Sequence, residues 1–326
     1  MAFLTTPGNT ARILVYHSIN DPTEARIRRS NIVAPANFES HLQYLATSAQ
    51  VIGLPDYLQA INDGRALPKN AVILTFDDGY KDNRTRVYPL LVKYGFPATF
   101  FVATDLIGTG KRKWEDRLHG LIRQSNVLPL ALTIPPDGQT LTIRDEHEKS
   151  RLIRSLVGQL TRFSPAERES VLSQWERQLG MAETGAGEIM LSWEEVREIA
   201  RTPGMTVGAH TVTHCHLTQV PVEAAENEIA ASKKQIESQI QQPVTLFAYP
   251  YGDFDDRIAA LVKTNGFAAA GTLRYGRNDR NVDPFRLRRL QIPDQSGFRF
   301  RLGLRLRGSI VGEPLKNSYN KLRRLF

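Results

Sequence analysis

The chain has 326 residues, 41% hydrophobic and 23% charged, a balance that fits an ordinary soluble globular protein and excludes collagen-like, low-complexity and broadly disordered classes. Its net charge of +8 is uneven: residues 296–326 carry eight Lys or Arg against Glu313 alone, which is +7 and leaves +1 for the other 295 residues. The basic character belongs to a C-terminal appendage, and a nucleic-acid-binding body is not expected, because no basic patch with interleaved aromatics occurs elsewhere. The single cysteine, Cys215, cannot form an internal disulfide, which fits a reducing compartment. With no leader-like N-terminus and no run of 18 apolar residues, the expected location is cytoplasmic or membrane-peripheral.

Strand-like apolar runs fall at residues 13–17, 71–76, 98–102, 205–209, 244–248, 268–272 and 287–292. Helical segments lie between them near 38–46, 87–94, 221–240 and 257–264, with Gly95, Pro97 and Gly266 as stop signals. Strands alternating with helices predict a parallel sheet with crossovers, and seven strands suit a barrel. Between Leu106 and Ser192 the chain is longer than a crossover needs. It holds a basic turn (Lys111, Arg112, Lys113), a turn at 136–138, helices around 145–160 and 165–179, and a Gly-rich link at 184–187. This predicts a mostly helical insertion over about 107–191, either a solvated cover on one barrel face or a wall of a substrate cleft. The catalytic domain is expected to span 1–295 and the basic tail 296–326. Residues 298–307 alternate apolar side chains with arginines if extended, yet Phe298, Leu302 and Leu306 still align in a helix, so periodicity leaves the form open. Such a tail either packs its apolar side on the barrel or attracts an anionic membrane surface.

The chemistry is concentrated in two places. Asp77 and Asp78 follow the apolar run 71–76, and Gly79 lets the chain turn sharply there, so both carboxylates fall at a strand's carboxyl end, where α/β folds place their sites. Adjacent like charges need a compensating cation or proton. His210 and His214, four apart after the run 205–209, place both imidazoles on one side if that segment turns helically. One carboxylate and two imidazoles make a three-ligand site suited to Zn²⁺ or another first-row divalent ion. Trp114, Trp193, Tyr249 and Tyr251 are candidates to stack on sugar rings, with Tyr249 and Tyr251 favoured by their strand-end position. Cys215 beside His214 lacks the partners of a catalytic thiol. His41 and His119 on helices, His147 in a charged segment and His216 beyond the pair read as solvated or locally bonded.

Thr75-Phe-Asp-Asp-Gly79 together with His210-Thr-Val-Thr-His214 resembles the polysaccharide deacetylase family, the NodB-homology carbohydrate esterases of family 4, over roughly residues 13–292. Phe247-Ala-Tyr-Pro-Tyr-Gly252 is similar to a third motif in one branch, as is Leu191-Ser-Trp-Glu-Glu195 to the segment before the histidine strand. The resemblance implies a distorted (β/α)7 barrel with Asp77 as general base and Asp78, His210 and His214 as metal ligands. It also implies a contact from the Tyr80 backbone N–H to the reacting carbonyl; Tyr249, Pro250, Tyr251 and Trp114 are the further substrate-binding candidates. Two departures stand out. Phe247-Ala248 replaces the family's base-orienting arginine motif, for which Arg289 can substitute, with Arg288 competing. No histidine follows His216 to act as the late general acid. His17, in Val15-Tyr-His-Ser18, matches relatives whose acid strand comes first.

The expected function is metal-dependent removal of N-acetyl groups from an amino-sugar oligo- or polysaccharide containing N-acetylglucosamine, releasing acetate. Two alternatives are a hydrolase of non-sugar C–N bonds on the same barrel and a non-catalytic carbohydrate-binding relative.

Overall fold

The computed structural model describes residues 10–125, 130–134, 139–143, 145–181 and 189–307. All seven predicted strands form: β1 (Thr10–Tyr16), β2 (Ala71–Phe76), β3 (Ala98–Val102), β4 (Met205–Ala209), β5 (Leu246–Ala248), β6 (Ala269–Gly271) and β7 (Arg289–Gln291). β2 and β3 are buried at every position, which is why they read as continuous apolar runs rather than alternating ones. The strands pair in parallel from β1 through β6 in chain order, and β7 returns to pair in parallel with β1. A bridge from Gly271 to Leu287 joins β6 to the segment entering β7, so the sheet curls round on itself as expected. Its distortion is local. β4 and β5 share a single register pair, Ala209 with Phe247, and β6 has no ladder with β7, its bridge reaching only Leu287 ahead of that strand.

Alternation along the strands sorts the core into two layers. Ala11, Ile13, Ile73, Phe101, Leu246, Ala248, Ala269 and Leu287 form one cluster, whereas Leu14, Tyr16, Leu74, Phe76 and Phe100 join a cluster with the surrounding helices. Those helices are α1 (Pro35–Ser48), α3 (Tyr88–Tyr94), α7 (Trp193–Arg201), α8 (Val222–Ile240), α9 (Asp256–Thr264) and α10 (Gly297–Arg307); α2 (Leu54–Asn62), α4 (Trp114–Gln124), α5 (Glu146–Leu160) and α6 (Pro165–Gln178) pack elsewhere. α2, absent from the predicted elements, packs Leu54, Tyr57 and Leu58 against Ala11 and Ala71 at the strand starts. It closes the end of the barrel opposite the carboxylates.

The predicted insertion is α4, a hairpin of Leu130–Ile134 with Gln139–Ile143, α5 and α6. It has its own core, including Leu118, Ile122, Leu156, Leu160, Leu172 and Trp175. The predicted 136–138 turn and the 184–187 link lie outside the described residues. In the tail, residues 297–307 are helical, and Phe300 and Leu304 are buried against α1, Phe300 stacking on His41 at 4.0 Å. Phe298 and Leu302 stay exposed, at 67% and 38%. The packed face is therefore Phe300 and Leu304, not the aligned Phe298 and Leu302. Residues beyond 307, with Lys316, Lys321, Arg323 and Arg324, lie outside the described residues.

Candidate active site

β1, β2 and β4 all end at one rim of the barrel, and the loops leaving them carry the candidate residues. Asp77 extends β2 by one step, its N–H donating to the Tyr16 carbonyl at 2.9 Å. Its carboxylate is 2% exposed and receives two hydrogen bonds from Arg289, Nη1 to Oδ1 and Nη2 to Oδ2, each 2.8 Å. Burial pushes the Asp77 pKa up, but Arg289 and the neighbouring histidines outweigh it and hold the group below the usual carboxylate range. Of the two competing arginines, Arg289 points inward and is 1% exposed, whereas Arg288 is exposed. Alternation in β7 makes that choice.

Asp78 and Gly79 follow with φ of +78° and +86°, which turns the chain away from the strand direction. A non-glycine residue at positive φ is uncommon and costs backbone strain. Six such residues occur among the described ones, and four of them, Asp78, Thr211, His214 and Tyr251, are gathered here. Strain concentrated at one rim marks a site rather than a tolerance of the fold. It also corrects the helical-turn expectation for residues 210–214, which form an irregular loop. Glu228 of α8 holds that loop, accepting from the Val212 and Thr213 N–H groups at 2.8 and 2.9 Å.

Asp78, His210 and His214 each aim one ligand atom at a common point, all within 4.8 Å of one another. His210 Nε2 and His214 Nε2 lie 3.5 and 3.1 Å from Asp78 Oδ1, a buried oxygen that lacks a hydrogen-bond partner. The opposite ring nitrogens have different partners. His210 Nδ1 is 2.7 Å from the Ala248 carbonyl, which only accepts, so that nitrogen carries a proton and, in the neutral ring, Nε2 is the one with the lone pair. His214 Nδ1 faces the Tyr251 hydroxyl at 3.2 Å, and burial drives the His214 pKa down to about 3, so the ring is neutral. A buried carboxylate oxygen without a hydrogen-bond partner, faced by two imidazole Nε2 atoms, fits a divalent cation.

One partner was not foreseen. Lys113, from the basic turn that opens the insertion, is buried and ion-pairs with Asp78 Oδ2. Burial alone would lower its pKa, yet Asp78, Asp116 and Glu115 outweigh that and raise it. Asp78 is held well below the carboxylate range, Lys113 and His214 overcoming the effect of burial. The next residues of the insertion also face the site: Asp116 accepts from the Tyr80 hydroxyl at 2.7 Å, and Trp114 Nε1 donates to the Tyr251 hydroxyl at 3.3 Å. In sequence these residues read only as a charged helix start.

His17 sits just past β1, near Asp77, Asp78, Lys113 and His210. Burial lowers its pKa, and the two carboxylates partly counter that. Its backbone is fixed from the irregular turn before α3: Asn83 Nδ2 donates to the His17 carbonyl at 2.7 Å, and Asp82 accepts from Ser18 Oγ and the Ile19 N–H at 2.6 and 2.8 Å.

The aromatic candidates are held by the protein itself. Tyr249 is fully buried, stacked on Phe254 at 4.8 Å with its hydroxyl donating to the Phe285 carbonyl, and Pro250 is buried beside it, so neither offers a sugar platform. Tyr251 stacks on His216 at 3.7 Å and turns its hydroxyl to His214. Arg168 covers the Trp114 ring at 5.1 Å. Trp193 packs on the main core. The Tyr80 side chain is buried, leaving its backbone as the group in question. His41 and His119 are buried rather than solvated, bonded to the Gln295 and Ala25 carbonyls, each at 2.8 Å. Cys215 is buried, and burial pushes its thiol up to about 12, which removes it as a nucleophile.

This architecture matches what comparison with known proteins finds. The family model described as polysaccharide deacetylase matches residues 64–270. The chain belongs to the polysaccharide deacetylase family, a family of hydrolases. YxkH of Bacillus subtilis (strain 168), classed with the polysaccharide deacetylases, is 21% identical over 290 residues, covering 88% of this chain and 74% of YxkH. The poly-beta-1,6-N-acetyl-D-glucosamine N-deacetylase of Escherichia coli (strain K12) is 32% identical over 95 residues, covering 29% of this chain and 14% of that enzyme. Among solved structures, Streptococcus pyogenes deacetylase PplD in complex with acetate superposes with a TM-score of 0.60 at 20% identity, covering 90% of this chain and 98% of PplD. That likeness bears on the fold.

Proposed function

We propose that the protein is a metal-dependent N-deacetylase of an amino-sugar oligo- or polysaccharide containing N-acetylglucosamine. The observation that carries this reading is the meeting, at one barrel rim, of an Arg289-held carboxylate with the Asp78, His210 and His214 group. Asp78, His210 and His214 would hold a divalent cation, Zn²⁺ by the donor set, and such an ion lowers the pKa of bound water and polarises the acetyl carbonyl. Asp77, kept ionised by Arg289, accepts the proton of the attacking water as general base. The Tyr80 backbone N–H meets charge developing on the carbonyl oxygen. His17 protonates the departing amine, because an amide nitrogen leaves poorly without a proton; Asp77 and Asp78 favour its charged form against burial. The first residues of the insertion wall the cleft through Lys113 and Asp116.

Acetate release tests this reading. The zinc-loaded protein is expected to release acetate from N-acetylglucosamine oligomers, β-1,6-linked ones included, and not from non-sugar amides. The opposite preference would favour the hydrolase of other C–N bonds, and bound zinc with no turnover on any acetylated glycan would favour a binding protein.

We further infer a peripheral site of action at an anionic membrane surface. Among the described residues no helix is long and apolar enough to cross a membrane. α10 instead exposes Phe298 and Leu302 beside Arg299 and Arg301, an arrangement that suits an interfacial helix. Deleting 296–326 should abolish salt-sensitive sedimentation with anionic vesicles. Equal binding by the truncated protein would remove the inference.

A further inference from the structure

We propose that Lys113, the residue at which the insertion enters α4, is a positioning residue that holds one oxygen of Asp78 away from the metal ion, so that Asp78 offers the ion Oδ1 alone. The inference rests on the metal reading above and extends it to a side chain that acts through a ligand rather than on the reacting atoms.

The two carboxylate oxygens of Asp78 have different neighbours. Oδ1 lacks a hydrogen-bond partner and is faced by His210 Nε2 and His214 Nε2 at 3.5 and 3.1 Å. Oδ2 is ion-paired with the Lys113 ammonium. A carboxylate can bind a cation through one oxygen or through both. Lys113 removes the second mode, because it holds the oxygen that would have to turn toward the ion. A coordination position is thereby kept for water or for the acetyl oxygen, as a catalytic three-ligand site requires. A fixed positive charge beside a cation site also repels the ion, so the same arrangement lowers affinity while it keeps a position open.

Both partners of the pair are held in place. The Asp78 backbone, at its φ of +78°, is pinned on either side: the Asp77 N–H donates to the Tyr16 carbonyl and the Leu191 N–H to the Gly79 carbonyl, each at 2.9 Å. What remains free is rotation of the Asp78 carboxylate, and that rotation is what Lys113 fixes. Lys113 is the N-cap of α4 and is 6% exposed, its ammonium 5.2 Å from the centre of the Tyr80 ring. One helical turn further, Asp116 accepts from the Tyr80 hydroxyl and from the Arg28 N–H, each at 2.7 Å. The start of α4 is therefore anchored to the residue after Gly79, and the ammonium is delivered to Asp78 from a fixed base.

The test uses the full-length protein, with zinc as the probe of affinity, read by competition with a chromophoric chelator, and cobalt(II) as the probe of coordination. Lys113→Met should bind zinc at least about 10-fold more tightly, because a repulsive charge is removed and a second carboxylate oxygen is released toward the ion. Its cobalt form should show the weaker visible absorption of a higher coordination number, and its acetate release with zinc bound should fall by about 10- to 100-fold. Lys113→Gln keeps a polar group beside the buried carboxylate and so guards against loss of the fold; its zinc affinity should rise as well. Zinc affinity unchanged or lowered in either variant, or a cobalt spectrum of Lys113→Met identical to wild type, would overturn the proposal and leave Lys113 as a tether of the insertion. Failure of the wild-type protein to bind zinc would overturn the metal reading, and this inference with it.

Discussion

Arg289 crosses from β7 to grip Asp77 at the end of β2, each guanidinium Nη on its own carboxylate oxygen at 2.8 Å. The pair is fully buried, and its geometry is the planar fork that lysine cannot reproduce. Arg289 also donates from Nε to the Thr272 carbonyl at 3.0 Å, so the fork is anchored at its base. The base of the proposed reaction is thus oriented from the last strand of the barrel.

Replacing Arg289 by Met removes the charge that outweighs burial at Asp77. The Asp77 pKa should rise, so the acid limb of the kcat/KM profile should move to higher pH, with the rate at neutral pH lower by about 10²- to 10⁴-fold. Arg289→Lys should recover only part of this. A pH profile identical to wild type, merely scaled down, would show that the arginine acts on something other than the base.

Gly271 tests the same contact from the backbone side. A Cβ there would lie 2.6 Å from Arg289 Nε, in a space the pinned side chain cannot vacate without breaking its fork. Gly271→Ala should therefore lower activity steeply while leaving zinc affinity near wild type. Structure determination of the variant should show Arg289 displaced. Full activity would mean that the fork is looser than its geometry.

The barrel was legible in the sequence because a parallel strand covered on both faces is a short apolar run with turn signals at each end, and all seven runs became strands. The meeting of Asp78, His210 and His214 was legible because they stand at the ends of two such runs. α2 escaped because Gly53 and Pro55 at its start read as turn signals, although Pro suits the first turn of a helix. Lys113, Glu115 and Asp116 escaped for a different reason: a charged helix start is ordinarily solvated, and only the folding of the insertion back onto the rim buries these side chains. Glu228 was hidden in the same way, as one charge on a long polar helix. The surroundings of the aromatics were not legible, because Tyr249 and Tyr251, two apart after β5, pack against different partners that the motif does not reveal.

His41 gives the fold a pH dependence away from the site. Burial lowers its pKa to about 4, only partly opposed by its bond to the Gln295 carbonyl and by Asp294, while in the unfolded chain it titrates near 6.5. The folded pKa is depressed, so the stabilisation is complete above about pH 6.5 and is lost as pH falls toward 4, a contribution on the order of 3 kcal/mol. The Tyr16 hydroxyl at 3.2 Å and the stacked Phe300 tie this group to the packing of α10 on α1. Thermal melts at pH 7 and 4.5 should show a smaller acid-induced drop in Tm for His41→Gln than for wild type. Equal drops would place the acid sensitivity elsewhere.

Base and acid should separate from the metal. Asp77→Asn and His17→Ala are each expected to keep zinc at wild-type stoichiometry and to lose about 10²- to 10⁴-fold in rate. If His17→Ala kept its rate, the departing amine would take its proton from another group.

The most direct measurement pairs bound zinc with acetate release from N-acetylglucosamine oligomers, in wild-type protein and in His214→Ala. One equivalent of zinc and chelator-sensitive acetate release are expected in wild type, with both lost together in the variant. Acetate release that survives both chelation and His214→Ala would contradict the assignment of Asp78, His210 and His214 as the metal-binding heart of the enzyme.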